Sequence, residues 1–249
     1  MMKIIYKKPE PITKTHTTYC PGCPHGIAHR LVAELLEDMN LTKKTVIVWP
    51  VGCSVFGYYF IGTDAVEAAH GRACAMATGI KRAHPESFVM TYQGDGDLAS
   101  IGIAETVHAA ARGERISVVY INNGNYGMTG GQMAPTTLLG QRTTTTPYGR
   151  DAKLNGFPLH VPEMLAAIDG PAYIARAALD SPQHIIQAKK FLKKAFTAQA
   201  KDLGFSLVEM ISACPTNWKL SPVEAMERIR KEVLPVFPVG EFKVAKGVE

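Results

Sequence analysis

Three groups of residues have types and spacing that suit chemistry rather than packing. The first, Gln93-Gly94-Asp95-Gly96-Asp97, follows the apolar run Phe88–Tyr92 and leads into helical spacing. The second, Asn122-Asn123-Gly124-Asn125-Tyr126, closes the next apolar run, with 25 residues between Gly96 and Asn122. Together they offer what a diphosphate and its counter-cation need: glycine backbone for close approach, helix-start N–H groups for phosphate oxygens, and hard oxygen ligands. Asp95 supplies a carboxylate, Asn123 a side-chain carbonyl and Asn125 a backbone carbonyl, leaving phosphate and water to complete an octahedron around a hard cation. A lone Gly-Asp-Gly is equally the composition of a tight turn. The second half, at the end of a neighbouring run, turns the reading towards a metal-diphosphate site.

The third group is the cysteines. Five is an odd count, and without a secretory signal it argues against a disulfide framework and towards metal or redox chemistry. Cys20-Pro21-Gly22-Cys23 suits half a zinc site, a thioredoxin-like redox pair or half an iron-sulfur site. No strand precedes Cys20, as a thioredoxin pair would require. Cys53, Cys74 and Cys214 are isolated, without the second close pair usual in zinc sites, and His25 and His29 fall on the far side of a helix start. Spacing alone leaves the choice open.

Positioning these residues requires alternating elements. Thr45–Trp49, Ser87–Tyr92 and Ile116–Ile121 read as buried parallel strands. Gly26–Met39, Ala65–Ala83 and Ile101–Ala111 have helical spacing, which makes the chain an α/β layered fold. Thr136–Phe157 has neither period and reads as a long functional loop. Beyond it come a helix over Val161–Asp169, a strand over Tyr173–Ala177, a long helix over His184–Asp202, a strand over Ser206–Ile211 and a tail from Pro215. No repeat or linker divides the chain, so residues 1–249 are expected to form one domain.

Composition sets the wider limits. With 249 residues, 46% hydrophobic and 20% charged, the chain can bury a full core. The net charge of +5 is modest, and Lys189, Lys190, Lys193 and Lys194 read as a solvated helix face, which argues against a nucleic-acid partner. Met1–Pro11 lacks the apolar stretch of a signal peptide, and no window approaches the roughly 18 apolar residues of a spanning helix. The expectation is a cytoplasmic protein without membrane contact.

The Gly-Asp-Gly and Asn-Asn halves resemble the signature of thiamine-diphosphate enzymes. The continuation Thr129-Gly130-Gly131-Gln132 narrows the resemblance to the beta subunits of the 2-oxoacid:ferredoxin oxidoreductases. Cys20-Pro21-Gly22-Cys23, Gly52-Cys53-Ser54 and Cys214-Pro215 are similar to three further motifs of that family, although Pro24 stands where relatives commonly have glycine. The resemblance implies a three-layer α/β/α thiamine-diphosphate-binding fold with a mostly parallel sheet, and Asp95, Asn123 and Asn125 as Mg2+ ligands. It also implies that Val51, Gly52, Cys53, Ser54, His70, Gly94, Gly96, Asp97, Gly127, Met128 and Thr129 line thiamine diphosphate.

Cys20, Cys23, Cys53 and Cys214 would hold a 4Fe-4S cluster, leaving Cys74 as a buried structural thiol. His70 enters through His70-Gly71-Arg72, which is similar to the family's His-Gly-Arg. The implied activity is oxidative decarboxylation of a 2-oxoacid to acyl-CoA and CO2, with electrons passed through the cluster to ferredoxin. The activating glutamate and coenzyme A site are expected on partner chains, the alpha-, gamma- and delta-type subunits of one complex. Asp169–Ile174 and Asn217-Trp218 look closest to 2-oxoisovalerate or 2-oxoglutarate members, with pyruvate as a further candidate substrate.

Two roles stay open. Arg150 can meet a substrate carboxylate or be a solvated loop residue, and Trp218 and Phe242 read as interface or core aromatics. A non-catalytic iron-sulfur scaffold is the alternative class. A non-oxidative thiamine decarboxylase would predict both domains in one longer chain and no cluster cysteines.

Overall fold

The computed structural model describes residues 7–248, so most of the Met1–Pro11 stretch read for a signal peptide lies outside the described residues. Its strands are β1 (Thr45–Pro50), β2 (Asp64–Ala68), β3 (Phe88–Gly94), β4 (Ser117–Asn122), β5 (Asn125–Tyr126), β6 (Gln132–Met133), β7 (Pro171–Ala178), β8 (Phe205–Ile211) and β9 (Gly240–Val244). Its helices are α1 (His25–Asp38), α2 (Gly57–Phe60), α3 (Ala73–Ala83), α4 (Ile103–Ala111), α5 (Ala152–Asn155), α6 (Val161–Ala166), α7 (Pro182–Ala200), α8 (Pro215–Trp218) and α9 (Pro222–Arg228). Seven strands form one sheet in the order β2-β1-β3-β4-β8-β7-β9, parallel throughout except for β9 against β7. Strands β5 and β6 form a separate antiparallel hairpin.

The period of two along each strand sorts the core into two layers. Ile47, Trp49, Met90, Tyr92, Val119 and Ile121 face a cluster with Leu31, Leu35 and Leu36 of α1 and Phe191, Leu192 and Phe196 of α7. Val48, Val89, Val118, Tyr120 and Leu207 face the other way, onto α3, α4 and α6 through Ala77, Ala109 and Leu165. This is the expected α/β/α sandwich. Both faces of the parallel strands are covered, which is why the runs are almost continuously apolar.

Two expectations need correction. The helix read over Ala65–Ala83 is a strand, a turn and a helix. Ala and Glu make Asp64-Ala65-Val66-Glu67-Ala68 look helical, but pairing with β1, from Val46 opposite Asp64 to Pro50 opposite Ala68, overrides propensity at the sheet edge. The turn is enforced at Gly71, where φ is +77° and a Cβ would lie 2.6 Å from the Ile101 carbonyl carbon.

The segment after Pro215 is also folded. Ser221 and Glu224 form a reciprocal capping box that starts α9, and β9 returns to cover the β7 edge. Phe242 packs into the core beside Ile174, and Trp218 stacks under Arg228 at 4.6 Å, so both act as packing aromatics.

Beneath the site an aromatic nest holds α1 to the sheet. His29 is buried between Trp49 at 5.8 Å, Tyr92 at 4.8 Å and Phe60 at 6.1 Å. Its Nδ1 has no hydrogen-bond partner among the described residues. Burial, and then the nearby His25 ring, holds His29 well below its ordinary value. A lowered folded-state value means that the stabilisation is complete above the unfolded pKa of about 6.5 and is lost as pH falls below it. Urea midpoints should therefore drop between pH 6.5 and 5, with this site contributing a slope of up to about 1.4 kcal/mol per pH unit. His29→Phe should flatten that slope, and an unchanged profile would refute the assignment.

Among the described residues no helix is long and apolar enough to cross a membrane.

Candidate functional site

Five neighbouring strands, β2, β1, β3, β4 and β8 in spatial order, send their carboxyl ends to one rim. From β2 comes His70, from β1 Val51–Ser54, from β3 Asp95–Asp97, from β4 Asn123–Thr129 and from β8 Cys214. Ligand sites of open parallel sheets form at such strand ends, where loops diverge and leave a crevice. One pocket at this rim is lined by Val51, Gly52, Cys53, Ser54, His70, Gly94, Asp95, Gly96, Asp97, Asn123, Asn125, Gly127, Met128 and Thr129. Every residue expected to line the cofactor or hold Mg2+ is thus brought together. A larger cleft of about 740 Å³, between Leu138, Phe157, Arg228 and Val236, contains none of them.

Asp95 is almost fully buried, its Oδ1 accepting from the Gly96 N–H at 2.9 Å and its Oδ2 from Thr136 Oγ1 at 2.7 Å. Burial pushes its carboxyl up to about 6, while the hydrogen bonds from Thr136, Gly96 and Gly124 pull it down, with no cation among the groups acting on it. A buried carboxylate without a counter-charge is a group that a cation would satisfy. Asn125 adds a second such feature. Its side-chain Oδ1 and Nδ2 are both buried without partners among the described residues, although the sequence pointed only to its backbone carbonyl. Asn123 Oδ1 accepts from the Asn125 N–H at 3.3 Å.

Asp97 does a different job. Its Oδ1 meets His70 Nδ1 at 2.5 Å and accepts from the Gly71 N–H at 2.6 Å, and its Oδ2 accepts from Gln93 Nε2 at 2.7 Å. The carboxylate thereby fixes the His70 ring, as a histidine that must present its other nitrogen to a ligand requires. Gly96 has no room for a side chain, because a Cβ would lie 2.4 Å from the Tyr126 ring.

Cys20, Cys23, Cys53 and Cys214 lie in one part of the molecule and Cys74 in another. Cys53 Sγ and Cys214 Sγ lie 3.2 and 3.8 Å from where a Gly127 Cβ would be, with Asn123 Nδ2 at 3.8 Å from the same point. Burial pushes the Cys23 thiol up to about 12, against a hydrogen bond from the His25 backbone, with Cys214, Cys53 and Cys20 adding to the rise. Cys53 is pushed up to about 11 by burial and then by Cys214 and Cys20. The four thiols are therefore electrostatic neighbours. Cys74 stands apart, fully buried, its Sγ donating to Gln93 Oε1 at 3.3 Å. Among the described residues no three His, Cys, Asp or Glu side chains converge tightly enough to hold a single metal ion. The four thiols fit a polynuclear centre, whose ligands bind separate irons, and the Asp95 region fits an oxygen-bound cation completed by phosphate.

The loop over Thr136–Phe157 is held by Arg150, which is neither solvated nor facing the pocket. Its guanidinium donates to the carbonyls of Pro135 (2.8 Å), Thr137 (2.5 Å), Asn155 (3.3 Å), Gly156 (3.0 Å) and Phe157 (2.7 Å). This staple flanks Thr136 and so supports the contact to Asp95. Arg150→Lys, with three donors at a point instead of a planar fork, should not replace it. Limited proteolysis between residues 139 and 149 should accelerate several-fold in that variant, and unchanged cleavage would count against the staple.

Sequence reasoning missed His25, Tyr126 and Thr136. His25 lines the pocket, stacks on Tyr19 at 4.7 Å and meets the Tyr92 hydroxyl at 2.9 Å through Nδ1. Its place two residues after Cys23 was the available signal. Thr136 had none, since its partner is 41 residues away.

Comparison with known proteins fits this geometry. The family described as thiamine pyrophosphate enzyme, C-terminal TPP binding domain, matches residues 50–210. A ketoisovalerate oxidoreductase subunit VorA from Methanothermobacter thermautotrophicus is 43% identical over 98% of this chain and 53% of its own length. A 2-oxoglutarate synthase subunit KorB from Archaeoglobus fulgidus is 36% identical over 86% of this chain and 76% of its own. The structure of a 2-oxoglutarate:ferredoxin oxidoreductase from Magnetococcus marinus, with 2-oxoglutarate, coenzyme A and succinyl-CoA bound, superposes with a TM-score of 0.82. It is 26% identical and covers 98% of this chain and 87% of that one. This chain belongs to the thiamine-diphosphate-binding subunits of the 2-oxoacid:ferredoxin oxidoreductase family. It spans about half the length of the VorA relatives it matches.

Proposed function

We propose that this chain is the beta subunit of a heteromeric 2-oxoacid:ferredoxin oxidoreductase, its residues 1–249 acting as one domain that binds thiamine diphosphate, Mg2+ and a 4Fe-4S cluster. The observation that carries the reading is the meeting of the Asn123 amide and the Cys53 and Cys214 thiols within 3.8 Å of one point beside Gly127. It supports a cofactor site and an electron acceptor that share a wall. Bound thiamine diphosphate supplies a nucleophilic thiazolium carbon for the 2-oxoacid carbonyl and a sink for the electrons left when CO2 departs.

The protein's own part is binding and orientation. Asp95, Asn123 and Asn125 offer oxygens to Mg2+, and Gly94 and Gly96 admit the diphosphate. His70 is aimed by Asp97, while Val51, Gly52, Ser54, Met128 and Thr129 line the pocket that would hold the cofactor. Cys20, Cys23, Cys53 and Cys214 would ligate the cluster that passes electrons to ferredoxin. Alpha-, gamma- and delta-type partner subunits would bring the activating glutamate and the coenzyme A site.

Identity of 43% to a ketoisovalerate oxidoreductase subunit, against 36% to a 2-oxoglutarate synthase subunit, favours 2-oxoisovalerate over 2-oxoglutarate or pyruvate. The test is anaerobic co-expression with the partner subunits. About four irons per chain, bound thiamine diphosphate and 2-oxoisovalerate-dependent viologen reduction are expected. Reduction by none of the three 2-oxoacids would overturn the activity, and preference for another would reassign the substrate.

A further inference from the structure

We propose that Asn217 is a positioning residue whose side-chain amide clamps the Cys214 thiol to the cofactor loop and raises the reduction potential of the cluster bound there. This rests on the cluster reading above. Cys214 is the N-cap of α8 and Asn217 follows it by three residues within the same turn, which brings the two side chains together. Pro215 opens the turn, and the Trp218 N–H donates to the Cys214 carbonyl at 2.9 Å, which fixes its pitch. The two N–H bonds of Asn217 Nδ2 are then divided. One donates to Cys214 Sγ at 3.3 Å and the other to the Gly127 carbonyl at 2.9 Å.

A third contact shows that the arrangement is built rather than incidental. Gly131 has φ of +82°, and a Cβ there would lie 2.9 Å from Asn217 Cβ and 3.0 Å from Cγ. The second glycine of Thr129-Gly130-Gly131-Gln132 is therefore the space that admits Asn217. One amide thus touches the fourth thiol, the loop lining the pocket and the glycine turn that follows it.

The electrostatic consequence has a definite sign. Adding an electron to a thiolate-ligated cluster increases negative charge on its sulfurs, and an N–H donated to sulfur stabilises that reduced state more than the oxidised one. Losing the donor lowers the potential. A hydrogen bond of ordinary net strength corresponds to about a fivefold change in the one-electron reduction equilibrium, on the order of 40 mV at 59 mV per tenfold.

The experiment is an anaerobic dithionite titration of the intact complex, with the reduced cluster followed by electron paramagnetic resonance and iron counted in each sample. Asn217→Ala should keep about four irons per chain and show a midpoint lowered by about that amount. An unchanged midpoint at full iron would overturn the proposal. Should the alanine variant lose iron, Asn217→Leu keeps the bulk without the N–H donors and without adding a charge, and is titrated in the same way. A lowered midpoint supports the proposal, whereas an unchanged midpoint or lost iron in this variant as well overturns it. Wild-type complex without iron would instead refute the cluster reading itself.

Discussion

Asp95→Ala should cost at least about 100-fold in retention of thiamine diphosphate and abolish 2-oxoacid-dependent reduction, while the isolated fold persists. Even partners that only orient metal ligands are worth about 10–100-fold in affinity, and Asp95 would itself be the one charged protein ligand. The fold should tolerate the change. Burial raises the carboxyl to about 6, so at neutral pH the protein without metal holds a buried negative charge with no cation beside it. Removing that charge relieves the folded state, at the cost of the hydrogen bonds its carboxylate accepts from Thr136 and the Gly96 N–H. Isothermal titration with thiamine diphosphate and Mg2+, beside a melting curve of the metal-free protein, separates the two effects. A non-catalytic iron-sulfur scaffold predicts the same weak binding in both proteins, and that outcome would sink the enzyme reading.

Arg176→Leu should destabilise the sheet by about 3–5 kcal/mol. Arg176 and Glu209 are both fully buried on adjacent strands β7 and β8, and Arg176 Nε donates to Glu209 Oε2. Two further donations run from Arg176 to Glu163, at 2.8 and 2.7 Å, and Phe237 and Phe242 cover the guanidinium at 5.2 and 5.0 Å. Glu163 is partly exposed and can be rehydrated, whereas Glu209 would keep only its 2.7 Å contact from Asn122 Nδ2. An uncompensated buried carboxylate is the costly product, so Arg176→Leu combined with Glu209→Gln should recover part of the loss. Urea unfolding of both variants measures this. A single-variant cost below about 1 kcal/mol, the range of exposed pairs, would refute the argument.

Much of the site was legible because its chemistry sits in short contiguous motifs. The apolar runs gave β1, β3, β4 and β8, the ends of β3 and β4 pointed to Asp95 and Asn123, and the family resemblance pointed to Cys53 and Cys214. What failed was non-local. β2 is a strand only because β1 pairs with it, and Ala and Glu conceal that in a single sequence. β9 hides likewise in the tail, since its register depends on β7. Arg150 was weighed as a substrate or surface residue because five backbone carbonyls converging on one guanidinium leave no trace in side-chain types. The orphaned amide of Asn125 and the Asn217 clamp are likewise properties of packing.

The parallel order of the sheet also dictates when the site can exist. Each neighbouring pair among β1, β3, β4 and β8 is joined by a crossover, so no hairpin-sized fragment can rehearse the pocket during synthesis. Cys214 follows Cys53 by 161 positions, and β8, which lies between β4 and β7, follows α7 in the chain. Until β8 docks, Cys20, Cys23 and Cys53 therefore lie apart from Cys214. Loading of the proposed cluster would then be a late maturation event, and conditions that slow docking of β8 would leave those thiols open to oxidation.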